Sequence, residues 1–223
     1  QFLAMGLMFY QFGILNWNDW WIVIIALIIC VGITNAYNFM DGINGITGGY
    51  SLAVLLPLMY TDHTADFIAM TFRTVTGLSI MVFCFFNFRR RAICFAGDVG
   101  SISMAFIVVF ALGLLILKTG DFSYIVFLAV YGVDAVLTII HRIMLHENLG
   151  EAHRKHAYQL LANELGIPHV AVASIYMALQ IAISAGLIFI PVNHYIYLGA
   201  VIVLLSAAYI MFMRKFYHLH EEY

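Results

Sequence analysis

Long apolar runs alternate with short polar connections along this chain, and that alternation is its strongest signal. A helix needs about 20 mostly apolar residues to cross a hydrocarbon core of roughly 30 Å. Eight stretches approach that pattern: Gln1–Leu15, Trp20–Tyr37, Ile46–Tyr60, Phe67–Phe88, Ser101–Leu117, Phe122–Ile140, Val170–Ile190 and Tyr195–Met213. Trp17, Trp20 and Trp21 gather at the start of the second, as an interfacial aromatic belt would. Pro191 ends the seventh. The pattern predicts an all-α, polytopic transmembrane helix bundle of about eight spans, forming one integral membrane domain over residues 1–223. No internal repeat, low-complexity stretch or soluble domain interrupts it.

The connections are unequal. Those after the second, fourth and sixth stretches are long and rich in Asn, Asp, Gly and His, whereas the alternate ones are short turns. With the long connections and the C-terminal tail on one side, that side collects Arg89, Arg90, Arg91, Arg142, Arg154, Lys155, Arg214 and Lys215, eight of the ten basic residues. Such an excess marks the cytoplasmic side. The orientation predicts a cytoplasmic site built from Asn35–Gly49, Phe88–Gly100 and His141–His169.

Composition agrees with the pattern. The chain is 64% hydrophobic and 10% charged, against roughly 45–50% and about 25% in a soluble domain. Cys30, Cys84 and Cys94 are scattered and form no Cys-x-x-Cys pair, which argues against a disulfide framework or a thiolate zinc site. Gln1 stands first, inside an apolar run, so further N-terminal spans are expected to precede it.

Three polar clusters carry candidate chemistry. In the first, Asn35, Asn38 and Asp41 recur at helical spacing, followed by Gly42, Asn44 and Gly45. Carboxylate and amide oxygens so spaced can hold Mg²⁺ (or Mn²⁺) or a polar base, while the glycines permit close ligand approach. Helix capping would explain any one of these residues but not the whole array. In the second, Asp98 stands between glycines in Phe95-Ala-Gly-Asp-Val-Gly-Ser101, at an expected helix N-terminus suited to phosphate and its bridging metal. Arg89–Arg91 beside it read first as a topology signal.

The third cluster is Glu151-Ala-His153-Arg154-Lys155-His156-Ala-Tyr158-Gln159. A helix through it would place His153 and His156 on one face, and with Arg154 and Lys155 they make a cationic group suited to a diphosphate. No His-Glu-x-x-His accompanies them, which disfavours a zinc hydrolase. Asp134 remains, an acid within an expected span: functional by default, or else the partner of Arg142 or Arg73. Arg73, His63 and His194 read as structural or interfacial residues.

Taken together and in this order, the three blocks resemble the signatures of the polyprenyl-phosphate N-acetylhexosamine-1-phosphate transferases, glycosyltransferase family four, which includes MraY and WecA. The His-Arg-x-His-Ala-Tyr-Gln form is similar to the branch that initiates O-antigen or capsule repeats. The resemblance implies transfer of a sugar 1-phosphate from a UDP-N-acetylhexosamine to undecaprenyl phosphate, giving undecaprenyl-diphospho-sugar and UMP. It implies catalytic roles for Asp41, Asp98, His153, Arg154 and His156. Asp98 and Asn38 would hold Mg²⁺; Asn35, Asn38, Gly42, Asn44, Phe95 and Lys155 would bind substrate, with Phe95 stacked on uracil. The implied partners are the UDP-sugar, undecaprenyl phosphate and the lipid bilayer; no nucleic acid is expected, and a homodimer is compatible with the family. The family's Asp-Asp pair would lie before Gln1, so residues 1–223 alone are expected to be inactive. Asn44 and Val99 depart from the family's commoner residues. A transporter using Asp134, Asp41 and Arg73, or a family member without activity, are the competing readings.

Overall fold

In a computed structural model, residues 1–15, 18, 20–148 and 154–216 are described. Among them every regular element is helical: α1 (Phe2–Phe12), α2 (Trp20–Met40), α3 (Ile46–Ala65), α4 (Met70–Asn87), α5 (Gly97–Thr119), α6 (Ala129–Met144), α7 (Ala157–Gln159), α8 (His169–Phe189) and α9 (His194–Phe216). A 3₁₀ segment, Phe122–Leu128, leads into α6, and a π-helical turn, Leu160–Glu164, follows α7.

The stops follow local chemistry. Gly120 takes the left-handed conformation that closes α5, and the Asp121 carboxylate then accepts the Ser123 N–H at 2.9 Å to start the 3₁₀ turn. Pro168 precedes the first residue of α8, where its missing N–H costs nothing.

Among the described residues, six segments are long and apolar enough to span a membrane: Trp20–Met40, Met70–Asn87, Gly97–Thr119, Phe122–Met144, His169–Phe189 and His194–Phe216. The expected count of eight is therefore too high. The first stretch forms a helix of only 11 residues. The third, α3, is long enough at 20 residues but too polar, carrying Gly48, Gly49, Pro57, Asp62 and His63. Its position explains why. It lies in the middle of the bundle, packed on α8, α5 and α4, with most of its length buried. A helix wrapped by protein needs no lipid-facing apolar stripe. By contrast α2 and α9 are peripheral, and their exposed Ile, Leu and Val side chains suit lipid.

The core beside α3 is built from stacked aromatics. Tyr50 and Tyr131 lie parallel with centroids 3.5 Å apart, and Tyr37 meets both edge-on. Of the three hydroxyls, that of Tyr50 donates to Gln180 Oε1 at 2.7 Å and accepts the Tyr131 N–H at 3.2 Å. These rings pack against one another inside the bundle.

The connections α2–α3, α4–α5 and α6–α8 meet at one end. At the other end Arg73 pairs with Asp62, which also accepts the N–H groups of Phe67 and Ile68, and His194 Nδ1 lies 2.6 Å from Asp121. That second end is a set of tied turns. Polar chemistry of another order gathers at the first.

Candidate active site

Asn35 and Asn38 sit on the last turns of α2, one turn apart, and Asp41 follows the helix end. The Asn38 amide donates to Asp98 Oδ1 at 3.0 Å and to Ser101 Oγ at 3.2 Å, across to the first turn of α5. The first and second polar blocks therefore meet directly. Asp98 is exposed, as are Asn35, Gly42 and Phe95, the last at 72%. As the acid in the first turn of α5, Asp98 complements the helix dipole.

Asp41 faces the same spot. Its Oδ1 accepts the Thr47 hydroxyl at 2.6 Å, from the first turn of α3. Burial raises its carboxyl above the usual range, and the nearby Asp98 charge adds to that, while the Thr47 hydroxyl and the Gly97 N–H oppose it. Asp41 and Asp98 are thus close enough to repel. Two carboxylates, the Asn38 amide and the buried Ser101 hydroxyl form an oxygen-rich set, of which Asp98 faces solvent. Among the described residues no group of three or more His, Cys, Asp or Glu side chains gathers as a metal cage. One or two carboxylates without a cage is what Mg²⁺ prefers when phosphates supply its remaining ligands, so the donor set fits that ion.

The loop holding these residues is stitched rather than loose. Gly45 takes φ +86°, and a Cβ there would lie 2.6 Å from the Phe88 ring. Its N–H donates to Asn87 Oδ1 at 2.8 Å, and Asn87 in turn donates to the Cys94 carbonyl at 2.8 Å. Asn44 directs its amide to the Arg89 and Arg90 carbonyls at 3.2 and 3.3 Å, and its own N–H reaches His169 Nδ1 at 3.4 Å. In this arrangement Asn44 ties the two loops together. Arg89 lies 4.6 Å over the Phe85 ring and donates to its carbonyl.

The third block approaches from the other side. The expectation of a helix through His153 and His156 is not met: residues 154 and 155 are not helical, and His156 has extended backbone as the N-cap of α7. The Gln159 side chain accepts the His156 N–H at 3.2 Å, which starts the helix at Ala157. His153 lies outside the described residues. Arg154 is exposed, Lys155 pairs with Glu147, and Glu147 also receives Arg142 Nε at 3.1 Å. Chiefly through Lys155, the Glu147 carboxyl is held below the usual range.

His156 is buried, with Nδ1 3.3 Å from Asp134 Oδ1. Asp134 therefore pairs with neither Arg142 nor Arg73. Those arginines are taken by Glu147 and Asp62, and Asp134 instead collects Tyr176, Thr138, the Ala157 N–H and His156.

Tyr158 joins the third block to the first. Its hydroxyl donates to the Phe39 carbonyl at 2.9 Å, directly beside Gly42, where any Cβ would overlap it. Gly42 is thus required by this contact. Burial pushes the Tyr158 phenol up, so it stays a donor.

Sequence reasoning passed over Thr47, Ser101, Asn87, His169 and Tyr158 as site residues. Only Ser101, three residues after Asp98, and Tyr158, inside its motif, carried a local signal. An apolar cavity of about 280 Å³ between α1, α2 and α5 is lined by residues such as Ile25, Ile29 and Leu112, away from this polar end.

Comparison with known proteins places these residues in context. The family described as glycosyl transferase family 4 matches residues 2–139, which include Asn38, Asp41, Asp98 and Asp134. The chain is 27% identical over 164 residues to a probable undecaprenyl-phosphate N-acetylglucosaminyl 1-phosphate transferase of Bacillus subtilis, covering 71% of the chain and 45% of that protein. It is 28% identical over 130 residues to a phospho-N-acetylmuramoyl-pentapeptide-transferase of Thermotoga neapolitana, covering 58% of the chain and 41% of that protein. A protein of the same name from Kosmotoga olearia is 28% identical over 85 residues, 38% of the chain and 25% of that protein. The chain thus spans less than half the length of the curated relatives it matches.

Proposed function

This chain belongs to glycosyl transferase family 4, and from that membership we propose that it is the nucleotide-sugar part of a polyprenyl-phosphate sugar-1-phosphate transferase. The reaction would move an N-acetylhexosamine 1-phosphate from its UDP derivative to undecaprenyl phosphate, releasing UMP, on the cytoplasmic face of the bacterial plasma membrane. The names of the relatives support the lipid acceptor and the sugar class. The His-Arg-Lys-His-Ala-Tyr-Gln block supports an O-antigen or capsule role.

The observation that carries the reading is the meeting of Asn38 with Asp98, with the Asp41 carboxylate near Asp98, at the end where the basic residues gather. Phosphoryl transfer needs alignment and charge neutralisation more than covalent help from the protein. Asp98 and Asp41, with Asn38, would hold Mg²⁺, which would neutralise diphosphate charge. Exposed Phe95 offers a face for the uracil, and Arg154 and Lys155 offer donors to phosphate. The α7 turn, pinned through Tyr158 to the end of α2, would border the site beside Gly42.

The test uses the complete gene product in detergent or lipid nanodiscs, with undecaprenyl phosphate and a panel of UDP-sugars. UMP release that needs both the lipid and a divalent cation, and that favours one UDP-N-acetylhexosamine, is the expected result. Uptake of a solute into vesicles without UMP release would replace this reading with a transporter.

A further inference from the structure

We propose that Asp134 is a positioning residue, which from inside α6 fixes His156 and the α7 turn of the third polar block. Its effect on turnover rests on the transferase reading above; its effect on the turn does not.

Asp134 is 3% exposed, in a segment apolar enough to span a membrane. A carboxylate there is costly unless fully matched. The structure matches it from three elements. Oδ1 accepts the Ala157 N–H at 3.1 Å and the Thr138 hydroxyl at 3.2 Å, and faces His156 Nδ1 at 3.3 Å. Oδ2 accepts the Tyr176 hydroxyl of α8 at 2.6 Å. Thr138 Oγ1 also lies 2.8 Å from the Tyr209 hydroxyl of α9. An ionised carboxylate only accepts, so this geometry requires the proton of His156 on Nδ1. It therefore sets both where the imidazole sits and which nitrogen it turns away from Asp134.

The second tether makes the point specific. Tyr158, two residues after His156, is anchored to the Phe39 carbonyl beside Gly42. The α7 turn is thus pinned once to the membrane helix α6 and once to the end of α2, next to Asp41. A carboxylate that served only to join α6 to α8 would need the Tyr176 bond alone. Asp134 also receives the turn's own backbone N–H and its histidine ring. Outer partners of this kind fix ring orientation in functional sites, and losing them costs about 10–100-fold; a displacement of about 1 Å costs about 100-fold.

Three variants and one direct measurement test this in the complete protein. Asp134→Asn keeps the volume but puts an amide among hydrogen-bond donors. Hydrogen exchange across residues 154–165 should then rise about tenfold, and kcat should fall about 10–100-fold with the donor KM within about threefold. Asp134→Glu keeps the charge but displaces it, and should lower kcat in the same way. Tyr176→Phe removes the α6–α8 bond alone and should leave exchange across 154–165 near that of the parent. If Asp134→Asn leaves both exchange and kcat unchanged, or if Tyr176→Phe loosens the turn equally, the proposal falls. Nitrogen-15 spectra of His156 in the unaltered protein need no variant to fold: a neutral ring without a proton on Nδ1 also overturns it. If the parent protein turns nothing over but Asp134→Asn still loosens the turn, the transferase reading fails and the positioning role stands.

Discussion

Asp98 and Asp134 are both acids in apolar helices that this fold leads to one polar end, yet they are treated oppositely. Asp98 is exposed in the first turn of α5, receiving the Asn38 amide and little else. Asp134 is buried and receives donors from α6, α7 and α8. A carboxylate with spare acceptor capacity facing solvent can take a ligand or a cation. A carboxylate saturated by its own chain can only organise what surrounds it. The same difference divides the site: it is exposed and polar at Asp98, whereas the His156 and Tyr158 side is buried and tied.

The comparison can be broken most directly at Asp98. Asp98→Asn should lower UMP release at least ~100-fold, as removal of a main electrostatic stabiliser does, while thermal unfolding changes by less than about 1 kcal/mol, the scale of a helix-dipole contact. A variant that kept its rate would end the division into an acting and an organising acid.

Next in size is the seam between the two halves. Gly42→Ala should force the Tyr158 hydroxyl away and cost about tenfold in turnover, or about 1.4 kcal/mol. Tyr158→Phe in the same chain should recover part of that loss, because the overlapping oxygen is gone. Rates of the two single variants and the double variant give the coupling; additive losses would mean the halves are not joined there.

A smaller effect belongs to the open side. Asn44→Ala removes the two bonds to the Arg89 and Arg90 carbonyls. It should cost about 1 kcal/mol of local stability, read as faster hydrogen exchange across residues 88–96 with none across 154–165.

The smallest effect is pH-dependent. The carboxyl of Glu147 is held below its ordinary 4.5 by Lys155 and Arg142. Its tether is therefore complete above that value and is lost as pH falls through the lower folded value. Proteolysis between Leu145 and Lys155 should rise only in that acidic window, and Glu147→Gln should show the same rise at neutral pH.

Much of this was readable from the chain itself. Apolar runs of spanning length reported the helical bundle, and the side-to-side bias of Lys and Arg put all three polar blocks at one end, where Asn38 and Asp98 do meet. Residues whose meaning depends on a distant partner were not readable. Asp134 finds Tyr176 forty-two positions away, not an arginine. Asn44 is spent on backbone carbonyls that no side-chain pattern announces. His156 is extended because Gln159 caps the next turn, and helical spacing misread it. The span count failed for the same reason, since the cover that excuses a polar helix comes from elsewhere in the chain.

That polar central helix bears on how the protein is made. As synthesis proceeds, α3 emerges with glycines, a proline and an aspartate, and has little reason to partition sideways into lipid by itself. Its extensive neighbour α8 is translated only after α4, α5 and α6. Stable insertion of α3 is therefore a late, collective event: a ribosome-released chain ending before His169 should leave α3 open to protease, whereas one extending past Phe189 should protect it.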